Sequence, residues 1–192
     1  HLPRLDPGPA AAREALVQLH SSAITDGRLL VALAPGSAHS DVAQGRQSTT
    51  AWAPERWAHL ANQLAVRHGA GIVFVGSAED ERAVSAASVD VDAPHIDVTG
   101  QLDAMGMAAL LSHCDLVVCG DSPLLHLAAA VGTPTVGLFG PTDGRSRGPY
   151  GAEHRVIQAL TPSRAPHRGP NADSLMARIR VEDVLAGIES SL

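Results

Sequence analysis

Between Leu116 and Gly151 the chain reads LVVCGDSPLLHLAAAVGTPTVGLFGPTDGRSRGPYG, and this stretch restricts the fold more than any other. Leu116 to Cys119 are apolar and strand-like. Gly120, Asp121 and Ser122 break the run, and an Ala-rich helix opens at Pro123 or Leu124. Gly132-Thr133-Pro134 turns the chain, Val136 to Phe139 form a second apolar run, and a Gly140-Pro141-Thr142-Asp143 loop follows. Strand, polar turn, helix, turn and strand make the repeating unit of an open parallel sheet. Such a sheet places its ligand at the C-terminal ends of its strands, where strand becomes helix. A helix N-terminus there offers free N–H groups and the positive end of the helix dipole, which suit a phosphate. Asp121, Ser122 and His126 fall at that junction, so the segment predicts a site for a phosphate-bearing ligand.

The same alternation runs through the rest of the chain. Residues 1–9 are Pro-rich and read as a linker, with the folded domain expected over 10–192. Ala10 to His20 has helical spacing. Leu29 to Ala34 reads as a strand ended by Pro35-Gly36, and residues 37–51 as a polar loop. Pro54 opens a helix to about His68, Pro being suited to the first helical turn. Gly71 to Val75 is a strand, Gly76-Ser77-Ala78 a turn, and Glu79 starts an acidic helix. His95 to Val98 is a short strand, and Asp103 caps a helix to about His113. Residues 140–174 look loop-rich with a short strand at Arg155 to Gln158, and Val181 to Ser190 closes the chain as a helix. The expected fold is α/β, one Rossmann-like parallel sheet with helices on both faces.

At 192 residues this is enough chain for one good core. Only 3% of it is aromatic, so the core must be built from Ala, Val and Leu. A net charge of −6 argues against non-specific nucleic-acid binding, which needs a basic footprint. Cys114 and Cys119 flank a strand at a separation of roughly 16 Å if extended, too far for a disulfide. Two reduced thiols suit a cytosolic protein. No apolar run approaches the ~20 residues of a membrane helix, and no signal peptide is read, although a start at His1 without Met is not a native N-terminus. His39, His59, His68, His95 and His113 show no metal-like spacing with acids, and neither a metal nor another cofactor is expected. Gly36 and Gly45 make no Walker motif, and Ser122 has no nucleophile-elbow pattern around it.

The segment resembles bacterial ADP-heptose:lipopolysaccharide heptosyltransferases, glycosyltransferase family nine. The donor-binding half of that family carries Asp-Thr/Ser-Gly, a His, an Ala-rich helix, Gly-x-Pro, an apolar strand and Gly-Pro-Thr-Asp. Here these stand as Asp121-Ser122, His126, Leu127 to Ala130, Gly132-Thr133-Pro134, Val136 to Phe139 and Gly140 to Asp143. The resemblance implies the C-terminal half of a two-domain, GT-B type enzyme, with the N-terminal acceptor domain absent from this chain. It implies an ADP-heptose-like nucleotide-sugar donor, and a glycan or lipopolysaccharide acceptor bound by the missing domain. That domain would also hold the catalytic base. A cytoplasmic location follows, with room for peripheral membrane association of the whole enzyme.

Carried onto this chain, the resemblance makes Asp121, Ser122, Pro123, Leu124 and His126 donor-binding residues, together with Glu79, Thr50, Arg46, Leu102 and Thr142. Backbone N–H groups at Ser122, Leu124 and Leu125, and the Ser122 hydroxyl, can reach a diphosphate. Asp121 would be repelled by it, so it accepts from sugar hydroxyls, fixes the loop, or merely caps the helix. His126 lies one turn into the helix, facing either a phosphate or the core. Glu79, or its neighbours Asp80 and Glu81, can bind ribose hydroxyls or simply favour a helix start. Leu102 and Met105 are candidates for the nucleobase pocket or for core packing, while Thr142 and Asp143 support the site from the last strand. Two departures stand out. Pro123 replaces the family's Gly and removes one donor. The stretch Ser48 to Pro54 lacks the family's Lys before Trp-Pro, leaving Arg46 as the nearest cation. The missing Lys favours a second reading, a non-catalytic nucleotide-sugar binding module, and a third is a sugar-nucleotide epimerase of similar two-domain architecture.

Overall fold

The computed structural model describes residues 4–20, 24, 28–36, 51–151, 153–159 and 175–190. In chain order the elements are α1 (Gly8–His20), β1 (Leu30–Ala34), α2 (Pro54–His68), β2 (Gly71–Phe74), a 3₁₀ turn (Ala78–Asp80), α3 (Glu81–Ser88), β3 (His95–Asp97), α4 (Ala104–Ser112), β4 (Leu116–Gly120), α5 (Pro123–Val131), β5 (Thr135–Phe139), α6 (Gly144–Arg147), β6 (His154–Gln158) and α7 (Val181–Glu189). Six strands form one sheet in the order β3-β2-β1-β4-β5-β6, and every pairing is parallel. From β1 the chain builds outward to β3, then returns across β1 to lay down β4, β5 and β6. The switch point between the two directions therefore lies between β1 and β4, where an open α/β sheet leaves a crevice for a ligand.

Alternation along the strands divides the core into two layers. Val31, Leu33, Ile72, Phe74, Leu116 and Val118 face α2, α3 and α7, with Trp57, Leu60 and Leu64 filling that side. Ala32, Ala34, Val73, Val75, Val117 and Cys119 face the other side, where α1, α4 and α5 supply Ala15, Ala108, Ala109 and Ala128. Small residues on this second face let its helices lie close to the sheet, which is how a chain so poor in aromatics fills its interior.

Several boundaries differ from the sequence expectation for identifiable reasons. Helix α1 begins at Gly8 rather than Ala10, because Asp6 Oδ1 accepts from Gly8 N at 2.9 Å and supplies a start signal that the Pro-rich spacing hides. The described part of the stretch read as a linker packs on the domain, with Leu5 N donating to Ala130 O at 2.7 Å. The short strand expected at Arg155 is a full sixth strand in register with β5 from Thr135↔His154 to Phe139↔Gln158. Helix α6 was not foreseen. It has no apolar period, and Asp143 makes it by accepting from Arg145 N at 2.9 Å. Asp103 does cap α4, accepting from Gly106 N at 2.8 Å. Cys114 and Cys119 are both free and buried. No helix among the described residues is long and apolar enough to cross a membrane.

Candidate functional site

A cavity of about 750 Å³ opens at the C-terminal ends of β1, β2 and β4. Ala34 and Gly36 line it from β1, and Val75, Gly76, Ser77, Glu79 and Asp80 from the end of β2. Leu102, Asp103, Ala104 and Met107 come from the start of α4, and Ser122, Pro123, Leu124, His126, Leu127 and Ala130 from α5. This is the switch-point crevice, and its wall is mainly apolar with a few polar groups set into it, the usual make-up of a small-molecule site.

Asp80 explains why two glycines stand at the mouth. Its Oδ2 accepts from Ser77 N at 2.9 Å and from Ser77 Oγ at 2.8 Å, which folds the turn after β2 onto itself. Held there, the side chain fills the space beside Gly36 and Gly76. A Cβ on Gly36 would overlap the Asp80 carboxyl, and one on Gly76 would lie 2.9 Å from Asp80 Cβ. Asp80 is thus committed to the scaffold. Glu79 is exposed, lines the same cavity, and makes no hydrogen bond or ion pair with another described residue. Of the three neighbouring acids, Glu79 is the one that both lines the cavity and has an unpaired carboxylate; Glu81 begins α3 and is not among the lining residues.

The other wall is the start of α5. Ser122 is its N-cap residue in extended conformation, and its side chain makes no capping bond. Ser122 is 8% exposed, and its Oγ is buried without a hydrogen-bond partner. Its polar neighbour on the inner side is the Cys119 thiol. Burial pushes that thiol up to about 12, the Ser122 hydroxyl opposing and Asp121 adding to the shift. The thiol is therefore an uncharged interior group and no nucleophile. The N–H groups of Ser122 and Leu124 donate to no other described residue, as the first turn of a helix requires, whereas Leu125 N, also expected to meet the ligand, donates to Ser122 O at 3.1 Å. Pro123 sits at the first helical position and contributes none. His126 is exposed and lines the cavity, so it is not the half-buried core residue that was its alternative reading.

The remaining expected residues divide. Leu102 lines the cavity, but Met105 is 41% exposed and lies outside it; Met107 takes the place expected of Met105. With α4 starting at Ala104, residues 103, 104 and 107 share a face, and 105 does not. Asp121 is buried, is not among the residues that line the cavity, and pairs with Arg147, whose Nη1 lies 3.2 Å from its Oδ2. It therefore holds the loop, rather than lining the cavity or capping α5. Thr142 is buried beyond the cavity wall, with its Oγ1 unpartnered. Arg46 and Thr50 lie outside the described residues.

Two residues of this region were missed from sequence. Arg147 is one. Gln158 is the other, and it clamps the loop that follows β5. Its Nε2 donates to Phe139 O, Gly140 O and Thr142 O at 3.0–3.2 Å, and its Oε1 accepts from Gly144 N at 2.8 Å. A lone Gln at the end of an edge strand carries no sequence signal. The Arg145/Arg147 pair, closely following Asp143, was a weak one.

Comparison with known proteins places the chain. Residues 17–173 match the family model described as glycosyltransferase family 9 (heptosyltransferase). Lipopolysaccharide heptosyltransferase 2 of Salmonella typhimurium is 30% identical over 125 residues, covering 63% of this chain and 36% of that protein. A family 9 glycosyl transferase from Veillonella parvula superposes with a TM-score of 0.82 at 23% identity, over 98% of this chain and 53% of the other. An E. coli heptosyltransferase solved with ADP-2-deoxy-2-fluoro heptose gives 0.62 at 24% identity, over 93% and 48%. The chain thus spans little more than a third of that Salmonella relative's length and about half of each of these solved chains. At these identities the solved structures establish the GT-B-like fold alone.

Proposed function

Since the chain belongs to glycosyltransferase family 9, we propose that it is the nucleotide-sugar-binding unit of a heptosyltransferase-like enzyme. One observation carries this reading. The unpartnered N–H groups of Ser122 and Leu124 stand at the wall of the switch-point cavity. N–H groups left open at a helix N-terminus suit an anion.

In this reading the diphosphate of an ADP-sugar rests on the start of α5, and the developing charge of the leaving nucleoside diphosphate is stabilised by those donors. His126 donates to a phosphate or a sugar hydroxyl. Glu79 accepts from the ribose hydroxyls. Leu102, Met107 and Leu127 form the apolar slot for the base, which is adenine in the E. coli neighbour. The sugar is a heptose, and the acceptor is a lipopolysaccharide core or another glycan. Acceptor and general base belong to a second unit, which can also bring peripheral membrane contact. Family membership speaks against the epimerase alternative. Pro123, by removing a donor, favours the non-catalytic binding module as second reading; sugar transfer by the assembled two-unit protein excludes it.

Calorimetric titration with ADP-, UDP- and GDP-sugars tests the proposal. ADP-sugars should bind, and ADP should compete where UDP and GDP do not. Tighter UDP binding would refute the donor assignment. His126→Ala should weaken ADP-sugar binding roughly 3- to 30-fold, the span of one hydrogen bond to a neutral or charged group. The melting temperature should stay within about three degrees, because the side chain is exposed. A variant that loses its fold while binding unchanged ligand at low temperature would place His126 in the scaffold instead.

A further inference from the structure

We propose that Arg147 supplies the positive charge that a nucleotide diphosphate meets at the start of α5. The inference rests on the nucleotide-sugar reading above and names the cation of that site. The chain contains no lysine, and all 14 of its basic side chains other than histidine are arginine. A diphosphate in this cavity must therefore be met by Arg, by His, or by N–H groups alone. His126 is the one described cavity-lining residue that can carry a positive charge. Around it stand Glu79, Asp80 and Asp103, and Asp121 adjoins Ser122, so the local balance without another cation is unfavourable to an anion.

Among the described arginines, Arg147 is the one that an ion pair joins to the turn between β4 and α5. Its bond to Asp121 does two things. It neutralises the carboxylate that would otherwise repel a phosphate next to Ser122. It also spends only part of a guanidinium that has five N–H donors in a planar fork. The side chain remains 52% exposed while Asp121 is 9% exposed, so the remaining donors face outward from a buried anchor. The backbone beneath is held as well. Asp143 caps α6, and Gln158 fixes Gly144. Arg147 is not itself a lining residue of the cavity, but, tied to the residue that precedes the helix N-cap, it carries donors left over for the bidentate contact that Arg makes with phosphate.

The test is titration of the whole chain with ADP and with adenosine, each at low and moderate salt. In Arg147→Ala the dissociation constant for ADP should rise roughly tenfold or more, as for one charge-assisted hydrogen bond, while that for adenosine stays at the parental value. The salt dependence of ADP binding should shrink with it. Arg147→Lys should recover part of the ADP affinity, and Arg147→Gln serves in the same assays should the Ala variant not fold. Unchanged ADP affinity in Arg147→Ala overturns the proposal. So does an equal loss for ADP and adenosine, which marks a structural role, or a loss confined to Arg46→Ala. If the parent binds adenosine as tightly as ADP, no diphosphate contact exists and this inference fails while the nucleoside reading stands. If it binds neither, the proposed function itself fails.

Discussion

Raising the pH from 9 to 11 should remove roughly 5 kcal/mol from the folding stability of this protein, and replacing its two cysteines should abolish most of that loss. Cys114 and Cys119 are 6% and 0% exposed, and each thiol is pushed from its usual value of 9.0 up to about 12. Burial is the main cause for both; Asp115 adds to the shift at Cys114. In the unfolded chain each thiol releases its proton near pH 9, whereas in the fold it keeps it until about pH 12. Over that window the unfolded state binds fewer protons, so stability falls as pH rises, by about 1.4 kcal/mol per pH unit for each thiol. The full contribution is present below pH 9. Two thiols over two units give the figure above, a large share of the roughly 5–15 kcal/mol typical of a domain. The chain is well suited to the measurement. It has no lysine to ionise in this range, and its single tyrosine, Tyr150, stands 86% exposed in the fold. Urea melts from pH 7.5 to 11 under reducing conditions should show a steep decline in the parent and a much flatter one in Cys114→Ala/Cys119→Ala. Equal slopes would mean that other groups carry the alkaline loss.

The strands that were plain in sequence are those buried on both faces. β1, β2, β4 and β5 read as unbroken apolar runs because a parallel sheet between two helical layers leaves them no solvent side. β6 was faint because it lies at the sheet edge and carries His154, Arg155 and Gln158. The Ser122/His126 wall was legible for a local reason, since a strand, a polar turn and a helix start occupy adjacent residues. The opposite wall was not. Which of Glu79, Asp80 and Glu81 is free depends on how Asp80 packs against Gly36, and that contact spans 44 positions that no local pattern reports. The choice of Met107 over Met105 waited on the first residue of α4. The Asp121–Arg147 pair joins residues 26 apart across α5 and β5, so the sequence showed an acid and a cation without showing that they meet. Arg46 and Thr50 stay where sequence left them, outside the described residues.

Gln158→Leu should destabilise the protein by about 2–4 kcal/mol and weaken ADP binding more than adenosine binding. The substitution keeps the size of the side chain and removes its polar atoms. Phe139 O retains a partner, because Ala159 N donates to it at 2.8 Å. Gly140 O, Thr142 O and Ala159 O lose the Nε2 donor, and Gly144 N loses its acceptor. A buried polar group left unpaired costs about 1–3 kcal/mol; these four are only partly buried and their bonds are shared, which gives the lower range stated. For a chain of this size that corresponds to a fall of roughly 5–15 °C in melting temperature. Gln158→Glu should be at least as damaging at neutral pH. It keeps an acceptor for Gly144 N but turns an oxygen toward carbonyls that need a donor. The effect on ligand follows from position. The clamp holds the loop from which α6 starts, and α6 carries the Arg147 that pairs with Asp121. Loosening it should blur the cation while leaving Leu102, Met107 and Leu127 in place for the base. Thermal melts together with paired ADP and adenosine titrations measure both effects. An unchanged melting temperature would show that the Asp143 cap and the backbone bonds from Ser146 and Arg147 to Asp143 O hold this loop by themselves. A destabilised protein with parental ADP affinity would instead separate the clamp from the ligand site.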